Sequence, residues 1–141
     1  MNVRTATLFL MAAVIASLGA SHVQARPRVD AGVHRTLRQH GTVNLMVTMK
    51  GSNHRALESI SNLDETVFAT RGAKIEHLVS TMEAHAKASR GDVEKVLMQE
   101  SGSAQPLYTR YEKFWIANQV YIEAASFELV EKLVQLSSID E

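Results

Sequence analysis

The chain has 141 residues, 15 Lys and Arg against 15 Asp and Glu, two prolines and no cysteine. That length allows one small domain, and 45% hydrophobic with 21% charged residues is globular composition, not the polar, highly charged mixture that stays disordered. Zero net charge supplies no field to hold a polyphosphate, which argues against nucleic acid as a partner, and zero cysteine excludes disulfides, thiolate zinc sites and cysteine nucleophiles.

Arg4 is the only charged side chain before Arg26, and Ala6 to Ala20 between them is an apolar run of 15 residues. A bilayer span needs about 20. A basic start, an apolar centre of this length and the small pair Val23 and Ala25 match a secretory signal peptide cleaved after Ala25. The other readings are a buried core helix, which Gly19, Ser21 and His22 would end without an amphipathic face, and a retained membrane anchor. The expectation is a secreted, extracellular protein of residues 26–141 with no membrane contact after cleavage. Without disulfides, a secreted domain this small must rely on its core, a partner, or both.

Arg26 to Gly41 is basic and poorly patterned, with Pro27, Gly32 and the histidines from His34 to His40, and reads as a flexible lead-in. From Thr42 the pattern changes. Val43, Leu45, Val47 and Met49 alternate with Asn44, Met46 and Thr48, the period of a half-buried strand. Lys50 to Asn53 supply a turn and a candidate helix cap, and Leu57, Ile60 and Leu63 a short helical stripe. After Arg71 and Gly72, the residues Ile75, Leu78, Val79, Met82 and Ala86 fall at helical spacing. Val93, Val96 and Leu97 continue that face beyond Ser89, Arg90 and Gly91, where a kink or break is expected.

Ser101 to Pro106 reads as a loop, and Leu107 to Ile116 carries Tyr108, Tyr111, Phe114 and Trp115, a composition that favours a pleated surface. With a turn at Asn118 and Gln119, and Val120, Ile122 and Ala124 alternating with Tyr121 and Glu123, the segment reads as a hairpin. Ser126 can cap the next helix, with Glu128 in its first turn and Phe127, Val130, Leu133 and Val134 as its buried stripe. Strand, helix, strand, strand, helix is most of an α+β, ferredoxin-like split βαβ plan with an antiparallel sheet, its last strand short or missing at Ile139 to Glu141. Helices on one face would leave Asn44, Met46, Thr48, Tyr121 and Glu123 on the other, open face.

The search for chemistry yields little. Gly51 with Ser52 and Gly102 with Ser103 lack the Gly-x-Ser-x-Gly elbow of a nucleophile. His77 and His85 share a helix but stand eight apart, not four, so they read as surface histidines and no metal is expected. Glu76, Glu83, Asp92 and Glu94 read as a solvated helix face. No Gly-rich phosphate loop or calcium loop is present, and no cofactor is expected. Methionines 46, 49, 82 and 98 fit core or interface filling.

One stretch is more specific. Tyr111 to Ala124, with Phe114, Trp115, Ile116 and Asn118 at its centre, followed by a helix through Glu128, Leu129, Val130, Glu131, Lys132 and Leu133, resembles the hairpin and second helix of the propeptides of subtilisin-like serine proteases. The likeness is greatest to the bacillopeptidase F type. Val43 to Met49 and the helix around His85 to Val96 resemble that family more loosely, so the likeness spans about Thr42 to Ile139. It implies a domain that assists folding of a cognate protease, in cis or in trans, and inhibits it, and that is not itself an enzyme. In that family the open sheet face packs on two helices of the protease and the segment after the last strand lies in the substrate cleft. Carried over by position, the partner-binding residues are Met46, Thr48, Tyr121 and Glu123. The chain departs from the family in holding neither a cleft-binding tail nor a catalytic domain, so the expectation extends to a stand-alone relative or the truncated pro-region of a protease. The alternative is a secreted α+β binding or scaffold domain with no protease partner. The domain reading is therefore signal peptide 1–25, lead-in 26–41 and propeptide-like domain 42–141.

Overall fold

A computed structural model describes residues 26–141 other than Ser52 and Asp64; the segment read as a signal peptide lies outside the described residues. The first element departs from expectation. In place of a flexible lead-in, Ala31–His40 forms a helix, α1. Its start is set by Asp30, whose carboxylate accepts from the Gly32 amide at 2.7 Å, and its end by Gly41 in the left-handed region at φ 76°. Val33, Thr36 and Leu37 mark its inner side, with His34, Arg35, Arg38 and His40 exposed around it, so the segment is an amphipathic helix and not an unpatterned lead-in.

The strand read from alternation is β1, Thr42–Thr48. Helix α2 covers His54–Ser61 and is followed by a 3-10 turn at Glu65–Val67. The long periodic segment is two helices, α3 over Arg71–Ser89 and α4 over Gly91–Ser101, with Arg90 at the break expected there. The hairpin strands are β2, Arg110–Phe114, and β3, Gln119–Ser126, and Ser126 caps α5, Phe127–Leu133, by accepting from the Leu129 amide. The fold is thus α+β, with five α-helices and a three-stranded antiparallel sheet in the order β1-β3-β2 among the described residues. No helix among the described residues is long and apolar enough to cross a membrane.

Val47 of β1, Met49 just beyond it, and Val120, Ile122 and Ala125 of β3 point into the core, where Val93 and Leu97 of α4 and Leu129 and Leu133 of α5 close over them. The β3 alternation holds only to Ile122. At Ala124, φ 52°, a bulge shifts the register, so Ala125 takes the buried place expected for Ala124, and the Asn44 side chain accepts from the Ala124 amide at 3.0 Å. On α5 the buried residues are Leu129, Val130 and Leu133, whereas Phe127, expected in that stripe, is 55% exposed. On α3, Met82 and Ala86 are buried as expected but Ile75 is exposed. Glu94, expected on a solvated face, is largely buried between Arg90 at 3.6 Å and Lys113 at 3.5 Å.

The C-terminal segment returns to β1. Ile139 is buried and bridges Met49 antiparallel, and the Asp140 amide donates to the Thr48 carbonyl at 2.8 Å. This segment lies on the edge of β1 opposite β3.

Candidate functional site

The register fixes which side chains share the face turned away from the core. Residues directly opposite in antiparallel strands point the same way, so Met46, Tyr121 and Glu112 form one row across the sheet, and Thr48, Gln119 and Phe114 the next. A third row pairs Glu123 with Arg110. All four residues named from the sequence, Met46, Thr48, Tyr121 and Glu123, therefore lie on one face. Met46 is 50% exposed and Phe114 42%, so the face offers apolar area beside polar groups.

Two features of this face were not expected. The Gln119 amide donates to the Thr48 hydroxyl at 3.2 Å, tying the row together. More consequentially, Glu123 is not a free carboxylate. Arg110 donates to it through Nε and to Glu112 through Nη1 at 3.1 Å, and the Glu123 hydrogen bond raises the Arg110 pKa above its ordinary value. The cluster is one cation between two anions. Placing the turn at Asn118 and Gln119 hides this pairing; with the turn over residues 115–118 and Phe114 opposite Gln119, counting back sets Arg110 against Glu123.

The motif residues divide by role. Phe114 points to the open face, while Trp115 and Ile116 sit in the turn, Trp115 half-buried and Ile116 65% exposed. Asn118 is 1% exposed with φ 52°, a left-handed conformation that Asn tolerates better than most residues. Its side chain accepts from the Ser89 hydroxyl at 2.8 Å and donates to the Gly51 carbonyl at 3.4 Å, while its own carbonyl accepts from the Met49 amide at 3.1 Å. It joins the hairpin, the end of β1 and α3. His85 reaches the same Gly51 carbonyl through Nε2 at 2.6 Å, which places a proton on that nitrogen. Asn53, the expected cap of α2, makes no side-chain cap and instead donates to the Trp115 carbonyl at 3.1 Å and to that of Ile116.

His77 packs its ring against Phe68 at 5.4 Å. Among the described residues no group of three His, Asp or Glu side chains is placed to hold a metal ion. What the arrangement offers is a recognition surface: a twisted sheet face with two exposed apolar side chains, a tyrosine and a charge cluster, held from behind by the Asn118 network. Comparison of this chain with protein-family models, with curated proteins and with solved structures finds no match.

Proposed function

We propose that this chain is an exported, propeptide-like domain that binds a subtilisin-like serine protease through the open face of its sheet and acts as its inhibitor, its folding chaperone, or both. The observation that carries the reading is the gathering of Met46, Thr48, Tyr121 and Glu123, the positions taken over from the resemblance, on one solvent-facing sheet surface. With Ile139 against Met49 on its outer edge, the strand order and chain order also fit the ferredoxin-like plan of that family. Burial of Met46, Phe114 and Tyr121 would supply the apolar centre of an interface, with the Arg110 cluster at its rim.

The test is to mix the purified protein with a panel of subtilisin-like proteases and follow both peptide cleavage and refolding of the denatured protease. Slowed cleavage or rescued refolding by at least one member is expected, and Tyr121→Ala should weaken the effect by about thirtyfold, as for a central aromatic anchor, without lowering the melting temperature. No slowing and no rescue by any member would sink the reading.

A further inference from the structure

We propose that the free edge of β2 pairs antiparallel with β2 of a second copy of this chain, about a two-fold axis at Tyr111, and so joins two three-stranded sheets into one. The proposal stands apart from the protease reading, which concerns the sheet face and not its edge. β2 lies at the end of the strand order β1-β3-β2. In an antiparallel sheet, successive residues turn their backbone N–H and C=O alternately to one neighbour and the other. Thr48 turns its amide and carbonyl away from β3, to Glu141 and Asp140, so Val47 bonds to Val120 opposite it, and by alternation Gln119, Tyr121 and Glu123 turn to β2. Opposite them Phe114, Glu112 and Arg110 are spent, which leaves the N–H and C=O of Tyr111 and Lys113 facing outward, and no backbone group among the described residues pairs with them. Four of the five residues of β2 are exposed, as an uncovered edge requires. Both described ends of the chain lie at the other side of the sheet, where the Arg28 amide donates to the Asp140 carbonyl beside β1.

The charge pattern selects a second copy and fixes the register. A new antiparallel ladder joins outward residues to outward residues, so within β2 it can set Tyr111 opposite Tyr111, Tyr111 opposite Lys113, or Lys113 opposite Lys113. The second register brings Glu112 against Glu112 and the third Lys113 against Lys113, and like charges directly opposite are destabilising. The first sets Arg110 against Glu112 of the other copy, and by symmetry Glu112 against its Arg110, both in non-hydrogen-bonded pairs, where side chains approach most closely. An acid two residues from a base, with both on the open face, is the spacing that a two-fold axis at the residue between them requires. Arg110 would then stand between two carboxylates, Glu123 of its own sheet and Glu112 of the other, in exchange for its present contact with its own Glu112 at 3.1 Å. On the helix side Lys113, a residue type that blunts edges, is drawn onto Glu94 at 3.5 Å. Tyr111 packs edge-on against Tyr108 at 5.9 Å, and the two Tyr111 rings would meet at the axis as a directly opposed aromatic pair.

The experiment follows the purified ¹⁵N-labelled protein by sedimentation equilibrium and by amide spectra from low micromolar to near-millimolar concentration. The apparent mass should rise from that of one chain towards that of two, and the Tyr111 and Lys113 amide resonances should move with concentration while that of Ile122 stays still. Arg110→Glu and Glu112→Arg should each weaken self-association at least about tenfold, since each turns both cross-strand pairs into like charges. Mixing the two variants in equal amounts should restore association, which a folding defect in either would not allow. A single-chain mass at every concentration, undiminished association of Arg110→Glu, a mixture that fails to associate, or resonance changes confined to the open face would overturn the proposal. So would a Tyr111 amide already protected at the lowest concentration, since this chain would then fill the edge itself.

Discussion

Asn118 offers the sharpest test of what holds the candidate face in place, because it belongs to the motif that suggested a partner yet is buried behind the sheet. Replacing it with Ala removes two side-chain hydrogen bonds, those with Ser89 and Gly51, and puts a β-carbon residue without a compensating polar group at φ 52°. At about 1 kcal/mol net per hydrogen bond and about 1 kcal/mol for the left-handed backbone, Asn118→Ala should cost about 3 kcal/mol. Some relief is available, since the Ser89 hydroxyl also reaches Ala86 at 3.1 Å and His85 still occupies the Gly51 carbonyl. Asn118→Gly removes the same hydrogen bonds but accepts the backbone, so it should cost about 1 kcal/mol less than Ala. Urea unfolding of the two variants measures both quantities. If both variants unfold like the parent while protease inhibition is lost, Asn118 is a contact residue and the structural assignment is wrong.

Trp115 lies half-buried in the turn and outside the main core cluster, so Trp115→Ala should cost about 1 kcal/mol by denaturant unfolding, whereas a loss of 3 kcal/mol or more would mark a core ring. Gly41→Ala meets no atom within 4 Å, so only its φ of 76° opposes the substitution; a loss of about 1 kcal/mol with fraying of α1 in hydrogen exchange is expected, and no change would mean that the left-handed end is dispensable. Arg110→Ala frees Glu123 and Glu112 for a partner's helix N-termini and should tighten protease binding a few-fold if the face is used as proposed; a loss of binding would make Arg110 itself the contact. Burial raises the Tyr108 phenol above its ordinary 10.0, so the unfolded chain ionises first: this group's contribution to stability is constant below about pH 10 and falls above it. Tyr108→Phe should flatten that alkaline fall while costing about 1 kcal/mol at neutral pH through the lost bond to the Leu97 carbonyl, and an unchanged alkaline slope would refute the assignment.

The sequence by itself determined the elements whose signal is local. Period two in Thr42–Met49 specifies both a strand and which side chains leave the core, because successive residues point to opposite faces whatever the strand pairs with. The break at Arg90 and the Ser126 cap were legible for the same reason, since both depend on neighbours within one turn. Tertiary structure decided the rest. Helix α1 carries an amphipathic pattern around Val33, Thr36 and Leu37, but its many basic and histidine side chains mask it, and the surface it packs on is β1, which only the fold brings beside it. Asn53 looked like a cap because caps are local, but the hairpin turn brought across the fold supplies two carbonyls that claim its amide. Phe127 is exposed because α5 turns Leu129, Val130 and Leu133 to the core, which leaves Phe127 beside that stripe. The neutralised Glu123 follows from register alone, a long-range pairing that no window of sequence contains.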